Sequence, residues 1–198
     1  TLLANTRSAK IHRLTPADFS FNRRGGRCEE CFGLGTQSLS LPPLPPVEVT
    51  CPECKGKRFQ QRVLNASYRD HSIHDILELT IHDARKIFEH QPHIFRLFQA
   101  LDLVGLGYIT LGQTSPTLSG GEQRRIQLAK VLAPCLKKEH NREPTIVLLD
   151  DPTAALHPTD AIKIQRCLLN LRESDITTIM ITNNPQMLEI SDKVHSLG

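Results

Sequence analysis

The chain has 198 residues, 39% of them hydrophobic and 23% charged, with no Trp and a formal net charge of +3. That is the composition of one or two folded globular domains, which excludes a disordered or coiled-coil chain and a long multidomain machine. The sequence opens at Thr1 without a basic-then-apolar leader and holds no apolar run near membrane-span length, so a cytoplasmic protein with no membrane partner is expected.

Charge is unevenly placed: residues 1–62 carry ten Lys or Arg against five Asp or Glu, and residues 63–198 carry fourteen against sixteen. A basic end of this kind suits a polyanion, although a solvated face is charged as often. Residues 1–22 show little periodicity beyond Phe19, Ser20 and Phe21 and read as a lead-in segment.

Residues 23–62 form the first module with a chemical signature. Cys28 and Cys31 make one Cys-x-x-Cys knuckle, Cys51 and Cys54 a second, and nineteen residues separate them. Two residues between cysteines let a tight turn bring both sulfurs to one ion, and Gly33, Gly35 and Gly56 let the backbone turn its amides toward the thiolates. A tetrahedral four-cysteine site for Zn2+ follows, ahead of a disulfide pair or a single redox dithiol. Cys135 and Cys167 have no partner at ligand spacing and read as small buried side chains. Pro42, Pro43, Pro45 and Pro46 force extended polyproline geometry between the knuckles, so this stretch is an outward loop and not a central strand. It reads as a stiff connection before it reads as a docking arm.

Residues 63–117 read as a small helical subdomain. Val63 to Arg69 alternates loosely, as a short strand does. Ile76, Leu77, Leu79, Ile81, Ala84, Ile87 and Phe88 then recur at helical spacing, with Thr80 and Asp83 as a cap, and a second stripe from Ile94 to Leu103 opens at Pro92. The two helices pack together. His71, His74, His82, His90 and His93 lack Cys or carboxylate partners at repeated spacing, so they read as solvated or capping residues.

Residues 118–198 carry the second signature. Ser119 and Glu122 form a capping box at the start of a helix with an apolar face at Ile126, Leu128, Ala129 and Leu132. With no side chains at Gly120 and Gly121, a phosphate can approach the free amides and the positive end of the helix dipole. Thr145 to Leu149 is an apolar run of strand length that ends in Asp150 and Asp151, where a buried parallel strand would deliver acids to a nucleotide's Mg2+ and attacking water. A helix over 159–173 and a second buried strand over 177–182 complete a strand-helix-strand unit with a right-handed crossover. No Gly-x4-Gly-Lys-Ser/Thr loop occurs: Gly56 and Lys57 are followed by Arg58.

These residues resemble a known family. Leu118 to Glu122, the acidic strand end with Pro152 and Thr153, Leu156 with His157, and the run from Gly105 to Ile109 with Leu111, Gly112 and Gln113 resemble the signature and Walker B regions of ABC ATPases. Phe19 to Asn22, Arg24 to Cys28 and the paired knuckles ahead of that signature are similar to the second half of the UvrA excinuclease family, damage-recognition ATPases of nucleotide excision repair. The resemblance implies an α/β fold, a partial ABC-type P-loop ATPase preceded by the four-cysteine zinc module and the helical signature subdomain. It implies a phosphate-binding loop ahead of Thr1, a dimer with composite ATP sites, contact with DNA, and a UvrB-like partner subunit. Ser119, Gly120, Gly121 and Glu122 would face the nucleotide of the opposite half, whereas Asp150 and Asp151 would serve this half's own ATP and Mg2+. Arg23, Arg24, Arg27, Lys55, Lys57, Arg58 and Arg62, around the zinc cage, are the implied DNA contacts, although the proline-rich loop offers no aromatic to stack on a base.

Three residues depart from the family pattern. Asp151 stands where the family has the water-orienting Glu, Asn183 where it has the switch His, and Ala where the loop from Thr153 to His157 has Gly. The resemblance therefore implies a weak hydrolytic site with Asp151 and Asn183 in the catalytic positions. Two other classes remain: a DnaJ-type zinc-knuckle chaperone module, which Cys28 to Gly35 fits but which leaves 118–182 unexplained, and a non-DNA ABC ATPase component, which leaves the zinc unexplained.

Overall fold

The computed structural model describes residues 2–40, 42–136, 145–153, 156–172 and 176–196. These divide into two compact units, Thr1–Glu78 and Leu79–Gly198. Ala154, Ala155 and the Cys135 side chain lie outside the described residues, and with them the expectations placed on them.

In the first unit, α1 (Arg7–Ile11) starts after Thr6, whose hydroxyl accepts the Ala9 amide at 3.2 Å. Ala9 and Leu14 are buried with Phe59, Val63 and Ala66 in one cluster, so the first residues contribute to a core. Their weak periodicity does not signal this, because a five-residue helix is too short to repeat a pattern. The hairpin β1 (Thr36–Leu39) and β2 (Val47–Thr50) pairs antiparallel from Thr36 opposite Thr50 to Leu39 opposite Val47. Its connection is exposed, as expected, but Pro42 to Leu44 form a turn with a cis bond between Pro42 and Pro43 in place of an extended polyproline run. The expected strand over 63–69 is also different. Gln61–Leu64 is a short helix, α2, because Val63 is needed fully buried in the cluster, and only β3 (Ser67–Tyr68) is extended. It pairs with β4 (His71–Ser72) across Arg69 and Asp70, both at positive φ as a two-residue type I′ hairpin requires. The helix α3 (Ile73–Glu78) ends the unit.

Arg62 anchors this unit by donating to the Asp18 carboxylate at 2.6 Å and to the Gly25 carbonyl at 2.7 Å. Burial pushes the Asp18 carboxyl up, but the Thr15 amide and hydroxyl, at 2.8 and 2.7 Å, together with Arg62 bring it below its ordinary value. The stabilisation is therefore complete above the ordinary Asp value of about 3.9 and is lost as pH falls through the lower folded value. Asp18→Asn is expected to cost about 1–3 kcal/mol near neutrality, by removing the charge and one of the two oxygens that accept from Arg62 and Thr15, and to flatten the acid limb of an unfolding titration. An acid limb unchanged by the substitution would show that Asp18 does not contribute.

In the second unit, α4 (Ile81–Ile87) is capped by Thr80, which accepts the Asp83 amide at 3.1 Å. The helical stripe therefore breaks at Leu79 and Thr80 into α3 and α4. The helix α5 (Pro92–Leu103) opens at Pro92 and packs on α4 through an edge-to-face pair, Phe88 and Phe98, with ring centroids 5.8 Å apart. The helix α6 (Gly120–Cys135) buries Ala129 and Leu132 completely and leaves Ile126 and Leu128 half-buried. Then β5 (Thr145–Asp150), α7 (Pro158–Arg172) and β6 (Ile176–Ile181) follow, the strands running parallel with Asp150 opposite Ile181. The helix α8 (Pro185–Glu189) comes last.

The strand-helix-strand unit is thus as expected, but its burial is one-sided. Val147, Leu149 and Ile176 are buried, together with Ile164, Leu168 and Leu171 of α7, whereas Ile146, Leu148, Ile179 and Ile181 on the other face are 54–72% exposed. Cys167 is buried, as its lone spacing predicts. Among the described residues no helix is long and apolar enough to cross a membrane.

Candidate functional site

The four knuckle cysteines converge. Their Sγ atoms all lie within 4.8 Å of one another, with Cys28 to Cys51 at 3.9 Å and Cys31 to Cys54 at 3.6 Å, and all four side chains are buried. A tetrahedral Zn2+ with Zn–S bonds near 2.3 Å sets its sulfurs about 3.8 Å apart, so the donor set and its spacing fit that ion. Both knuckles follow one path. Phe32, Gly33 and Gly35 after the first, and Lys55, Gly56 and Arg58 after the second, take positive φ at matching positions. Arg58 therefore adopts at φ 67° the left-handed conformation that Gly35 holds without strain. The turns aim backbone amides at sulfur: Gly35 donates to Cys31 Sγ at 3.2 Å, and amides of the second knuckle hold the Cys51 thiol below its usual range. Burial pushes the Cys54 thiol up to about 12, so an arriving cation must displace its proton.

The seven basic residues divide by what they already do. Arg27 is only 14% exposed, pairs with Glu29 at 3.5 Å and lies 5.2 Å from the Phe32 ring centroid, while Arg62 is engaged by Asp18. Arg58 is half-buried. Arg62 is exposed despite its ion pair with Asp18, and Arg23, Arg24, Lys55 and Lys57 are exposed as well. Phe32, also exposed, is an aromatic next to a knuckle and outside the proline-rich loop.

The capping box is formed: the Ser119 hydroxyl accepts the Glu122 amide at 3.2 Å, and the Glu122 carboxylate accepts the Ser119 amide at 2.7 Å. Tyr108 donates to the same carboxylate, which holds it below the usual range and raises the Tyr108 hydroxyl. Arg125 donates to the Val104 and Gly105 carbonyls, so the loop after α5 is tied to the first turns of α6 at two points. A methyl group built on Gly120 would meet nothing within 4 Å, and its φ is not in the left-handed range.

At the carboxyl ends of the parallel strands, Asp150 is exposed and Asp151 half-buried. Asp151 takes φ 38°, its amide donates to the Ile181 carbonyl at 2.8 Å, and its carboxylate receives the Thr182 hydroxyl at 3.5 Å. Asn183 is exposed. The next residue, Asn184, caps α8 by accepting the Gln186 amide at 3.0 Å and donates to the buried Thr153 hydroxyl at 3.1 Å. Sequence reasoning gives no role to Asn184 or Tyr108. Asn before Pro at a helix start was a readable signal for the former, and the latter pairs across 14 residues without one.

No protein-family model matches the chain. Along all of it, 197 aligned residues are 45% identical to UvrABC system protein A of Aquifex aeolicus, 40% to that of Haemophilus influenzae and 38% to that of Escherichia coli K12. The chain spans about a fifth of the length of these curated relatives, 21%, 20% and 20%. The crystal structure of UvrA2 from Deinococcus radiodurans superposes with a TM-score of 0.79 at 40% identity, over 96% of this chain and 23% of that one. The parallel strand pair, the helices around it and the cysteine cluster are thus consistent with a partial ABC ATPase fold. From end to end the chain is UvrA-family sequence, a stretch equivalent to about a fifth of those relatives.

Proposed function

We propose that the chain is the zinc-bearing, signature-bearing part of a UvrA-like damage-recognition ATPase of nucleotide excision repair. The observation that carries this reading is the presence in one UvrA-like stretch of a closed four-cysteine cage and a helix opened by a formed capping box at Ser119 and Glu122. Cys28, Cys31, Cys51 and Cys54 hold one Zn2+, whose chemistry is structural because four protein ligands leave no open position. In the organisation 1–22, 23–62, 63–117 and 118–198, the last part presents Ser119, Gly120, Gly121 and Glu122 to the ATP of an opposite half. Neither packing nor φ requires a glycine at Gly120, the first residue of α6, which supports a close-approach role. Asp150 serves Mg2+ and Asp151 with Asn183 the hydrolytic step at this half's own site. Arg23, Arg24, Lys55 and Lys57 form the DNA-facing set, half-buried Arg27 and Arg58 support it, and exposed Arg62 is held at its edge by Asp18. The partners are DNA, a second copy of the full protein and a UvrB-like subunit, in the cytoplasm.

Two measurements test this together. The 198-residue chain should bind ATP negligibly by calorimetry, having neither the Lys nor the amide nest that grips phosphate, and gain binding when extended to include a phosphate-binding loop. The extended protein should prefer lesion-bearing duplex, with affinity falling steeply as salt rises. Micromolar ATP affinity of the chain alone, or no DNA binding by the extended protein, would sink the reading.

A further inference from the structure

The loops that leave β5 and β6 are joined by side chains, and the joint ends at Asp151. Thr153 is one of two buried polar residues among those described, 8% exposed, and its hydroxyl accepts the Asn184 Nδ2 hydrogen bond at 3.1 Å. The Asn184 backbone amide in turn donates to the Thr182 hydroxyl at 3.1 Å, and that hydroxyl donates to Asp151 Oδ1 at 3.5 Å. Asn184 is itself fixed, because its Oδ1 caps α8. Asp151 sits at φ 38°, in the left-handed region that Asp adopts more readily than most residues with a Cβ, so its backbone direction there is set by the turn.

We propose that Thr153 and Asn184 are positioning residues, whose side-chain hydrogen bond locks the two strand-end loops together and, through Thr182, fixes the direction of the Asp151 carboxylate. The chemistry makes the lock matter. Asp carries one methylene less than Glu, so Asp151 has little side-chain reach with which to correct a backbone that drifts. Its placement is decided by the main chain, and the main chain is held by Thr153 and Asn184. Neither residue touches nucleotide in this scheme. The proposal rests on reading Asp151 as the hydrolytic carboxylate, but the lock itself can be measured without that reading.

Two variants remove the lock and spare the fold. Thr153→Val keeps the buried volume, and Asn184→Ser keeps a capping oxygen for α8 while being too short to reach Thr153. Thr153→Ser retains the hydroxyl and is the rescue. In the 198-residue chain, hydrogen exchange at the Asp151 amide, bonded to Ile181, and at the Leu156 amide, bonded to Thr153, should rise about tenfold in both disruptive variants and stay at the wild-type rate in Thr153→Ser. The Val147 and Leu149 amides within β5 report whether the fold is intact, and Asn184→Ser decides if Thr153→Val disturbs them. In the full-length protein, which supplies the opposite half, with the opposite site silenced by Ser119→Arg, the same variants should lower kcat about tenfold or more at unchanged KM, and Thr153→Ser should restore it. Exchange at Asp151 and Leu156 unchanged in both disruptive variants overturns the lock. Raised exchange with unchanged kcat overturns its positioning role. A full-length protein with no ATPase activity in any form refutes the ATPase reading instead, and the exchange result then decides the lock by itself.

Discussion

Removing the metal from the four cysteines is expected to unfold the knuckle module and leave the second unit untouched. The cysteines are the whole of their buried cluster, and the β1–β2 hairpin carried between them is exposed at Leu39, Val47 and Val49, so it has no apolar core to fall back on. What joins the module internally is backbone bonding set by the knuckles: Cys28 N to Arg58 O at 2.8 Å, Cys51 N to Gly35 O at 3.0 Å, Lys55 N to Cys51 O at 2.8 Å. Structural zinc supplies on the order of 10 kcal/mol in small peptides, comparable to the entire stability of a domain. Chelation should therefore abolish exchange protection across residues 26–60, weaken α1 and α2 through Phe59, and leave β5, α7 and β6 as they were. Elemental analysis should give one zinc per chain and none in the double variant Cys28→Ser with Cys54→Ser. Full protection of 26–60 in chelated, metal-free protein would show that the cage is held by something other than an ion.

The second large effect concerns hydrolysis. In the full-length protein, Asp151→Glu with Asn183→His should raise turnover at this half's own site by about a hundredfold. The longer carboxylate recovers roughly 1 Å of reach toward the attacking water, a misplacement that costs about that factor, and His can carry charge or exchange a proton where Asn183 cannot. Asn183 is exposed, so the imidazole meets no packing barrier. Ser119→Arg should do the reverse at the opposite site, by filling the approach that Gly120 leaves open. Single-turnover assays with one site silenced at a time separate the two. Wild-type turnover at this site equal to that of its opposite, abolished by Asp151→Asn, would show that the shorter carboxylate suffices.

What was legible in the sequence was local. Two residues between cysteines, a Ser three before a Glu, and a Pro at a helix start each act within one turn of chain, and the structure has each where the spacing puts it. The strand expected over 63–69 failed because a short alternating run does not distinguish strand from helix, and the choice was made by Ala9, Leu14 and Phe59 from elsewhere in the chain. The basic residues were countable, but Arg62's partner lies 44 positions away at Asp18, so charge alone could not separate anchors from free cations. The capping role of Asn184 was readable from Pro185 after it, but its bond to Thr153, 31 residues away, was hidden for the same reason. The apolar runs of β5 and β6 correctly announced a parallel pair. They also announced burial on both faces, and here only one is covered.

That uncovered face makes folding of the second unit depend on its company. Burying a single aliphatic side chain fully is worth about 1.5–3 kcal/mol, so Ile146, Leu148, Ile179 and Ile181, each more than half in water, together leave several kcal/mol unrealised. A domain's net stability is only about 5–15 kcal/mol. The unit's melting temperature is accordingly a property of concentration, detergent and neighbouring chain as much as of its own sequence, and a value measured on dilute chain is a lower bound on what the same residues reach when that face is dry.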